Sequence, residues 1–250
     1  MACDKGLKKM RKILYINRTR LSEEELEKRT KLLSELASEG SQIDIAVEES
    51  PVESIESEYE GSLTVPDACR IAVEAEKQGY DALISGCAGD PGLGAIRQVV
   101  KIPVIGPGET SAHVASLLGK RFSILSTGPK GGRRGLELPG LAGKLASTRG
   151  VGLSVLEARE DRERAIKAFT DEGHIAIEED GADTLVMGCM SLAYQDIDEE
   201  LSKILHVPIV NPVKVSIRLA EMLVDIGLSH SKAAYPYPKK IYHVKLEEIE

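Results

Sequence analysis

The chain has 250 residues, of which 42% are hydrophobic and 29% charged, a balance typical of a soluble globular protein with a sizeable core. Its net charge of −8 argues against nucleic-acid or anionic-membrane partners, because both repel an acidic surface. No apolar run approaches the roughly 20 residues that span a bilayer, and none of signal-peptide length follows the basic residues 1–12, so we expect a cytoplasmic protein.

The cysteines and histidines give no metal-binding pattern. The four cysteines are unevenly spaced and include no C-x-x-C pair, which predicts neither a disulfide framework nor a zinc site. His174, His206, His230 and His243 lack the spacing of metal ligands. The sequence also lacks a phosphate-cradling motif, so we expect activity that needs no metal and no cofactor.

Strand and helix patterns alternate through the first half of the chain. An apolar run at 12–17 predicts a buried strand. Ser22 and Glu25 form a capping-box pattern that starts a helix ending near Gly40. The next predicted elements are a strand at 42–47, a loop at 48–61 over the mouth of a cleft, a helix at 66–78, a strand ending at Cys87, a short helix ending near 100 and a strand at 102–106.

The second half repeats this plan. Its predicted elements are a helix at 110–118, a strand at 121–126, a Gly-rich basic loop at 127–135, a helix at 138–147, a strand at 152–156, a helix at 162–179, a strand ending at Cys189, a helix at 194–205, a strand at 207–210 and a helix at 213–226. Such alternation predicts parallel sheets with right-handed crossovers. We therefore predict an α/β fold of two pseudo-symmetric lobes, each a mainly parallel sheet flanked by helices. The first lobe should comprise residues 1–107 plus 213–250, and the second 108–212.

Two nearly identical stretches occupy equivalent places in the two halves. GYDALISGC at 79–87 and GADTLVMGC at 181–189 each run through a predicted strand into a Gly-Cys pair. The carboxyl ends of parallel strands are where open α/β sheets bind ligands. If the halves are related lobes, Cys87 and Cys189 face one another across an inter-lobe cleft, with space for a small molecule between them.

The paired position favours a catalytic role for these two thiols. A free cysteine is most often a buried core residue, and we expect that role for Cys69 on its predicted helix. Cys87 and Cys189 differ because each precedes a turn into a helix. Backbone N–H groups at such a turn are expected to stabilise a thiolate and lower its pKa.

Several motifs together resemble the aspartate/glutamate/hydantoin racemase superfamily, and within it the hydantoin and allantoin racemases. They are CAGDPGL at 87–93, IPVIGPGE at 102–109, HVASLLG at 113–119 and the second Gly-Cys at 188–189, within a resemblance that runs from Ile13 to about Ile226. The resemblance implies the two-lobed fold and a cofactor-independent two-base mechanism. It makes Cys87 and Cys189 the catalytic acid/base pair, because inversion needs a base on one face of the stereocentre and an acid on the other.

Six further positions are candidate substrate-binding residues. The family's substrate loop begins at Asn17, where it usually reads Asn-Pro-Asn and this chain reads Asn-Arg-Thr. Thr127 ends the equivalent strand of the second lobe. The N–H groups that follow the two cysteines are candidate donors to the substrate carbonyl oxygen, as in an oxyanion hole. The residues that carry them are Ala88, Gly89, Met190 and Ser191.

The residues after each cysteine also bear on the substrate. Racemases of acidic amino acids in this superfamily follow their cysteines with Asn-Thr and Thr-His, whereas this chain has Ala88-Gly89 and Met190-Ser191. The difference favours a less charged, cyclic small molecule, a 5-substituted hydantoin or allantoin. An Asp/Glu-type racemase, a maleate-type isomerase and a non-catalytic two-lobed ligand-binding protein remain alternatives. The sequence leaves open whether the chain forms a homo-oligomer.

Overall fold

The computed structural model describes residues 10–128 and 140–242. Within them, eight strands form two parallel four-stranded sheets of order β2-β1-β3-β4 and β6-β5-β7-β8. The two sheets therefore share one strand order, which confirms the predicted α/β architecture. The strands are β1 (Arg11–Asn17), β2 (Ser41–Val47), β3 (Ala82–Gly86), β4 (Val104–Ile105), β5 (Phe122–Ser126), β6 (Leu145–Gly150), β7 (Thr184–Met187) and β8 (Ile209–Val210).

The helices flank the two sheets. Ser22 caps the first of them, as predicted, since its Oγ accepts the N–H of Glu25 at 3.2 Å. The helices of the described residues are α1 (Glu23–Leu36), α2 (Glu58–Lys77), α3 (Leu93–Val99), α4 (Pro107–Leu118), α5 (Val155–Glu160), α6 (Arg162–Glu178), α7 (Met190–Ala193), α8 (Asp198–Leu205) and α9 (Pro212–Asp225).

Equivalent aspartates directly precede strands β3 and β7, which are central strands of the two sheets. Asp81 accepts the backbone N–H of Lys12 at 3.0 Å beside the start of β1. Asp183 accepts the N–H of Lys120 at 2.8 Å beside the start of β5. The same residue type therefore ties together the same pair of strands in each half, which is direct structural evidence for the internal repeat.

Helices α4 and α9 exchange between the sheets. Helix α4 follows β4 of the first sheet, yet its Ala115 packs with Phe122 of the second sheet. Helix α9 follows β8 of the second sheet, yet its Ile217 packs with Ile84 of the first. This exchange supports lobes of 1–107 plus 213–250 and 108–212, although the division itself stays a prediction.

Helix α2 begins earlier than the sequence predicts. Ser57 and Glu60 form a complete capping box, so the helix starts at Glu58 and contains Pro66, which was expected at its start. The loop predicted at 48–61 is consequently shorter. The acidic composition of this stretch favoured a loop prediction, although Ser57 and Glu60 have the spacing of a capping box.

Two predictions in the second half are wrong. The predicted helix at 138–147 overlaps the edge strand β6, whose side chains are mostly half-buried and so lack a clear apolar pattern. The predicted strand at 152–156 is instead a connection into α5, which Ser154 caps. The helix predicted at 194–205 begins only at Asp198, as α8, because Asp196 adopts a positive φ of 52° in the turn between α7 and α8.

Candidate active site

A glycine precedes each of the two cysteines because the backbone approaches its neighbour closely there. A Cβ on Gly86 would lie 2.4 Å from the Tyr15 ring of β1. A Cβ on Gly188 would lie 2.7 Å from Ile124 Cγ2 of β5. The two glycines therefore allow equivalent strand ends to pack tightly, and each delivers a cysteine to the carboxyl end of its sheet.

Cys87 and Cys189 line the same small cavity, which has a volume of about 40 Å³. Its wall combines residues that follow β1 and β3 of the first sheet with residues that follow β7 of the second. Five of the six predicted substrate-binding residues are in this wall: Asn17, Ala88, Gly89, Met190 and Ser191. The structure thus brings the candidate site residues of both halves together.

Thr127 is the sixth predicted residue, and the structure does not place it in this wall. It is buried just beyond β5. The predicted basic loop at 127–135 begins there, but residues 129–139 lie outside the described part of the chain.

A larger cavity of about 380 Å³ adjoins the first and shares Ile55, Cys87 and Gly89 with it. Its remaining wall comes from residues 56–65 and from the turn after Cys87. The connection before α2 therefore borders the approach to Cys87, in the region where the sequence predicts a loop over the cleft mouth.

Cys87 is half-buried where the two cavities meet, and its surroundings oppose ionisation. Burial raises the pKa of Cys87 to about 11, although the N–H of Gly89 and the charge of Arg18 lower it. Asp90 and Cys189 raise this pKa further, through like charge. The expectation of a lowered pKa is therefore wrong for Cys87, because desolvation outweighs the turn's N–H groups. Cys189 is 5% exposed.

Comparison with known proteins places the chain among racemases. The family model of Asp/Glu/hydantoin racemases matches residues 16–220. The chain belongs to this family. It is therefore an isomerase of the racemase type, which confirms the resemblance carried by the two Gly-Cys motifs.

Individual relatives agree with this assignment. The hydantoin racemase of Pseudomonas sp. (strain NS671) is 35% identical over 195 residues, which are 76% of this chain and 78% of that protein. The allantoin racemase structure from Klebsiella pneumoniae superposes with a TM-score of 0.80 at 26% identity, over 92% of this chain and 94% of that one. The allantoin racemase from Pseudomonas fluorescens gives 0.79 at 29% identity, over 94% and 100%.

Arg18 is a member of the candidate site that the sequence motifs did not reveal. The side chain is only 1% exposed and lies beneath the turn that follows Cys87. Its guanidinium donates to Ser85 Oγ at 2.8 Å, to the Pro91 carbonyl at 3.0 Å and to Thr64 Oγ1 at 2.6 Å. Arg18 thus holds the turn against β3 and places a fixed positive charge near the Cys87 sulfur.

Two acidic groups near this turn have raised pKa values. Glu48 forms an ion pair with Arg18, yet burial raises the pKa of Glu48 to about 7. Burial likewise raises the pKa of Asp90 to about 7. Asp90 accepts the N–H groups of Gly108 at 3.2 Å and Glu109 at 2.6 Å, so it caps α4 and fixes the far end of the turn.

Asn17 is held in one orientation by hydrogen bonds at both ends of its amide. Its Oδ1 accepts from Arg29 at 2.8 Å, and its Nδ2 donates to the Thr19 carbonyl at 2.6 Å. Arg29 is itself fixed by Glu25 at 3.2 Å and by the Tyr194 ring, whose centroid lies 4.3 Å from the guanidinium carbon. This wall of the cavity is therefore preorganised.

The described residues, 10–128 and 140–242, contain no group of three or more His, Cys, Asp or Glu side chains placed to hold a metal ion. Over the same residues, no helix combines the length and apolar character needed to cross a membrane.

Proposed function

We propose that this racemase inverts the stereocentre of a hydantoin-type substrate, a 5-substituted hydantoin or allantoin, with Cys87 and Cys189 as its acid/base pair. The observation that carries the proposal is that both cysteines line one cavity at equivalent strand ends. The hydantoin and allantoin racemases among its relatives support the substrate class.

The proposed reaction removes a proton from one face of a carbon and adds a proton to the opposite face. A thiolate on one face removes the proton at C5 of the ring, and the thiol on the other face returns a proton to the same carbon. The two sulfurs thereby exchange protonation states, and the opposite enantiomer uses them in reverse. No cofactor takes part, because the adjacent ring carbonyl accepts the negative charge of the intermediate.

The turns after the two cysteines provide the groups that stabilise this charge. The N–H groups of Ala88, Met190 and Ser191 are proposed to donate to the developing oxyanion. Gly89 has a different role. Its N–H lowers the pKa of Cys87 and so favours the Cys87 thiolate, which acts as the base for one of the two enantiomers. Because the pKa of Cys87 is about 11, Cys87 holds its proton at neutral pH and is placed to act as the acid there.

An Asp/Glu-type racemase or a maleate-type isomerase is the second candidate. The cavity wall contains three arginines, Arg18, Arg29 and Arg159. They favour the second candidate, since a guanidinium suits an anionic substrate. Arg18 and Arg29 are already paired with Glu48 and Glu25, however, which leaves less charge for a doubly charged acid. The non-catalytic alternative is not retained, because the chain belongs to a racemase family.

The proposal predicts racemisation of hydantoin-type compounds by the purified protein alone. Optically pure 5-substituted hydantoins, allantoin, aspartate and glutamate would each be followed by loss of optical rotation, with EDTA present. We expect the hydantoins or allantoin to lose rotation, and thiol alkylation to abolish the activity. Rotation lost only by aspartate or glutamate would transfer the assignment to the second candidate.

The pH dependence of kcat/KM should be bell-shaped, with its alkaline limb near the Cys87 pKa of about 11. Raising the pH through this value removes the last proton of the pair, so two thiolates remain and no acid is available. The acidic limb reflects loss of the single thiolate. The measurement is kcat/KM from about pH 6 to about pH 12, with circular dichroism to verify folding. A rate that stays constant to the alkaline end would contradict the mechanism.

A further inference from the structure

The cavity between the cysteines continues past two arginines into a second space. A cavity of about 300 Å³ shares Arg29, Arg159 and Ser191 with the one that Cys87 and Cys189 line. Lys28 and Glu25 contribute to its outer wall. A substituent that extends from the stereocentre past Cys189 and Ser191 therefore contacts a largely basic surface.

The charges on this surface are balanced except at Arg159. Glu25 neutralises Arg29 at 3.2 Å, and Glu24 pairs with Lys28 at 2.9 Å. Among the residues that the structure describes, the Arg159 guanidinium has no hydrogen-bond or ion-pair partner, and its Nε is fully buried. Burial and the charge of Arg29 lower the pKa of Arg159, whereas the charges of Glu25 and Glu160 raise it without forming an ion pair.

The backbone at Arg159 is held in place, whereas its guanidinium has no ion-pair partner among the described residues. Gln195 Nε2 donates to the carbonyls of Ala158 at 3.0 Å and Arg159 at 2.6 Å, which anchors the backbone at the end of α5. Arg159 is half-buried, with its Nε enclosed and the rest of the side chain lining the two cavities. Partial burial of a cation without an ion pair costs free energy, and a guanidinium does not lose its proton in proteins. An anion in the adjoining cavity would have direct access to this charge and could pair with it.

We propose that Arg159 forms a subsite for a carboxylate on the substrate. This inference rests on the proposed function and makes it narrower. A hydantoin ring is neutral, so the carboxylate belongs to the 5-substituent, which reaches Arg159 across Ser191. The planar guanidinium suits a carboxylate because it can donate two parallel hydrogen bonds.

Two hydantoins of the same shape test this subsite. 5-(2-Carboxyethyl)hydantoin and 5-(2-carbamoylethyl)hydantoin differ in a single charged group. The native protein should give a higher kcat/KM for the carboxylate, and Arg159→Gln should lower that value by about 10- to 100-fold, as loss of a charge-assisted hydrogen bond does. The same variant should leave the amide within about threefold. Arg162→Gln is the matched control, because Arg162 is half-exposed, pairs with Glu200 and lies outside the cavity wall.

Equal losses for both compounds in Arg159→Gln would overturn the subsite, since Arg159 would then act on Cys189 or on the fold. If the native protein racemises neither compound, calorimetric binding of the same two compounds decides the subsite, and the panel with allantoin and other 5-substituted hydantoins decides the proposed function separately. Tighter binding of the carboxylate that Arg159→Gln abolishes supports the subsite. Equal binding of the two compounds, or no binding of either, overturns it.

Discussion

Replacing either Cys87 or Cys189 with serine is expected to lower racemisation by about 10²- to 10⁴-fold, the usual contribution of a general acid or base. A serine hydroxyl has nearly the size of a thiol, so the cavity keeps its shape, but it is far too weak a base at neutral pH. Each variant should still exchange the C5 proton of one enantiomer through its remaining sulfur. The two variants should act on opposite enantiomers.

The structure adds an asymmetry between the two variants. Cys87→Ser removes the thiol whose pKa burial raises. Cys189→Ser leaves only Cys87, so its exchange should rise as the pH approaches the Cys87 pKa of about 11. The measurement is proton NMR of each pure enantiomer in deuterium oxide with each variant.

Cys69→Ser is the matched control, because Cys69 is a free cysteine of α2 that lies outside the cavity wall. It should racemise as the native protein does. Exchange of the same enantiomer by both active-site variants, or near-native racemisation by either one, would require the two-base assignment to be withdrawn.

The elements around the candidate catalytic pair could be predicted because their local patterns are strong. Strands β3 and β7 are buried on both faces, so each appears in the sequence as a mostly apolar run that ends in Gly-Cys. The edge strand β6 has mostly half-buried side chains and no such run, so its pattern is ambiguous. Prediction therefore succeeded in the middle of the sheets and failed at one edge.

The electrostatics of the site depend on contacts that no local pattern contains. Arg18 binds Thr64, Ser85 and Pro91, the last of them 73 residues away in sequence. The pKa of Cys87 likewise depends on how far tertiary packing removes water from the sulfur. The identity of the candidate acid and base could thus be inferred from the sequence, whereas their ionisation could not.

Gly86→Ala should damage both the fold and the site. The added Cβ would lie 2.4 Å from the Tyr15 ring and 2.6 Å from the Ile16 carbonyl oxygen, within a fully buried strand pair. Relief requires β1 and β3 to move apart, which should lower the free energy of unfolding by about 1 to 3 kcal/mol. The same movement displaces Cys87, and a shift of about 1 Å in a catalytic group can cost about 10²-fold in rate.

Denaturant unfolding and kcat/KM of the same Gly86→Ala preparation measure the two effects. Gly188→Ala should act similarly at the other cysteine, because its Cβ would lie 2.7 Å from Ile124 Cγ2. Gly143→Ala is the control, since no heavy atom lies within 4 Å of its added Cβ and its φ is not in the left-handed region. If Gly86→Ala matched this control in stability and rate, close strand packing would not explain the glycine before each cysteine.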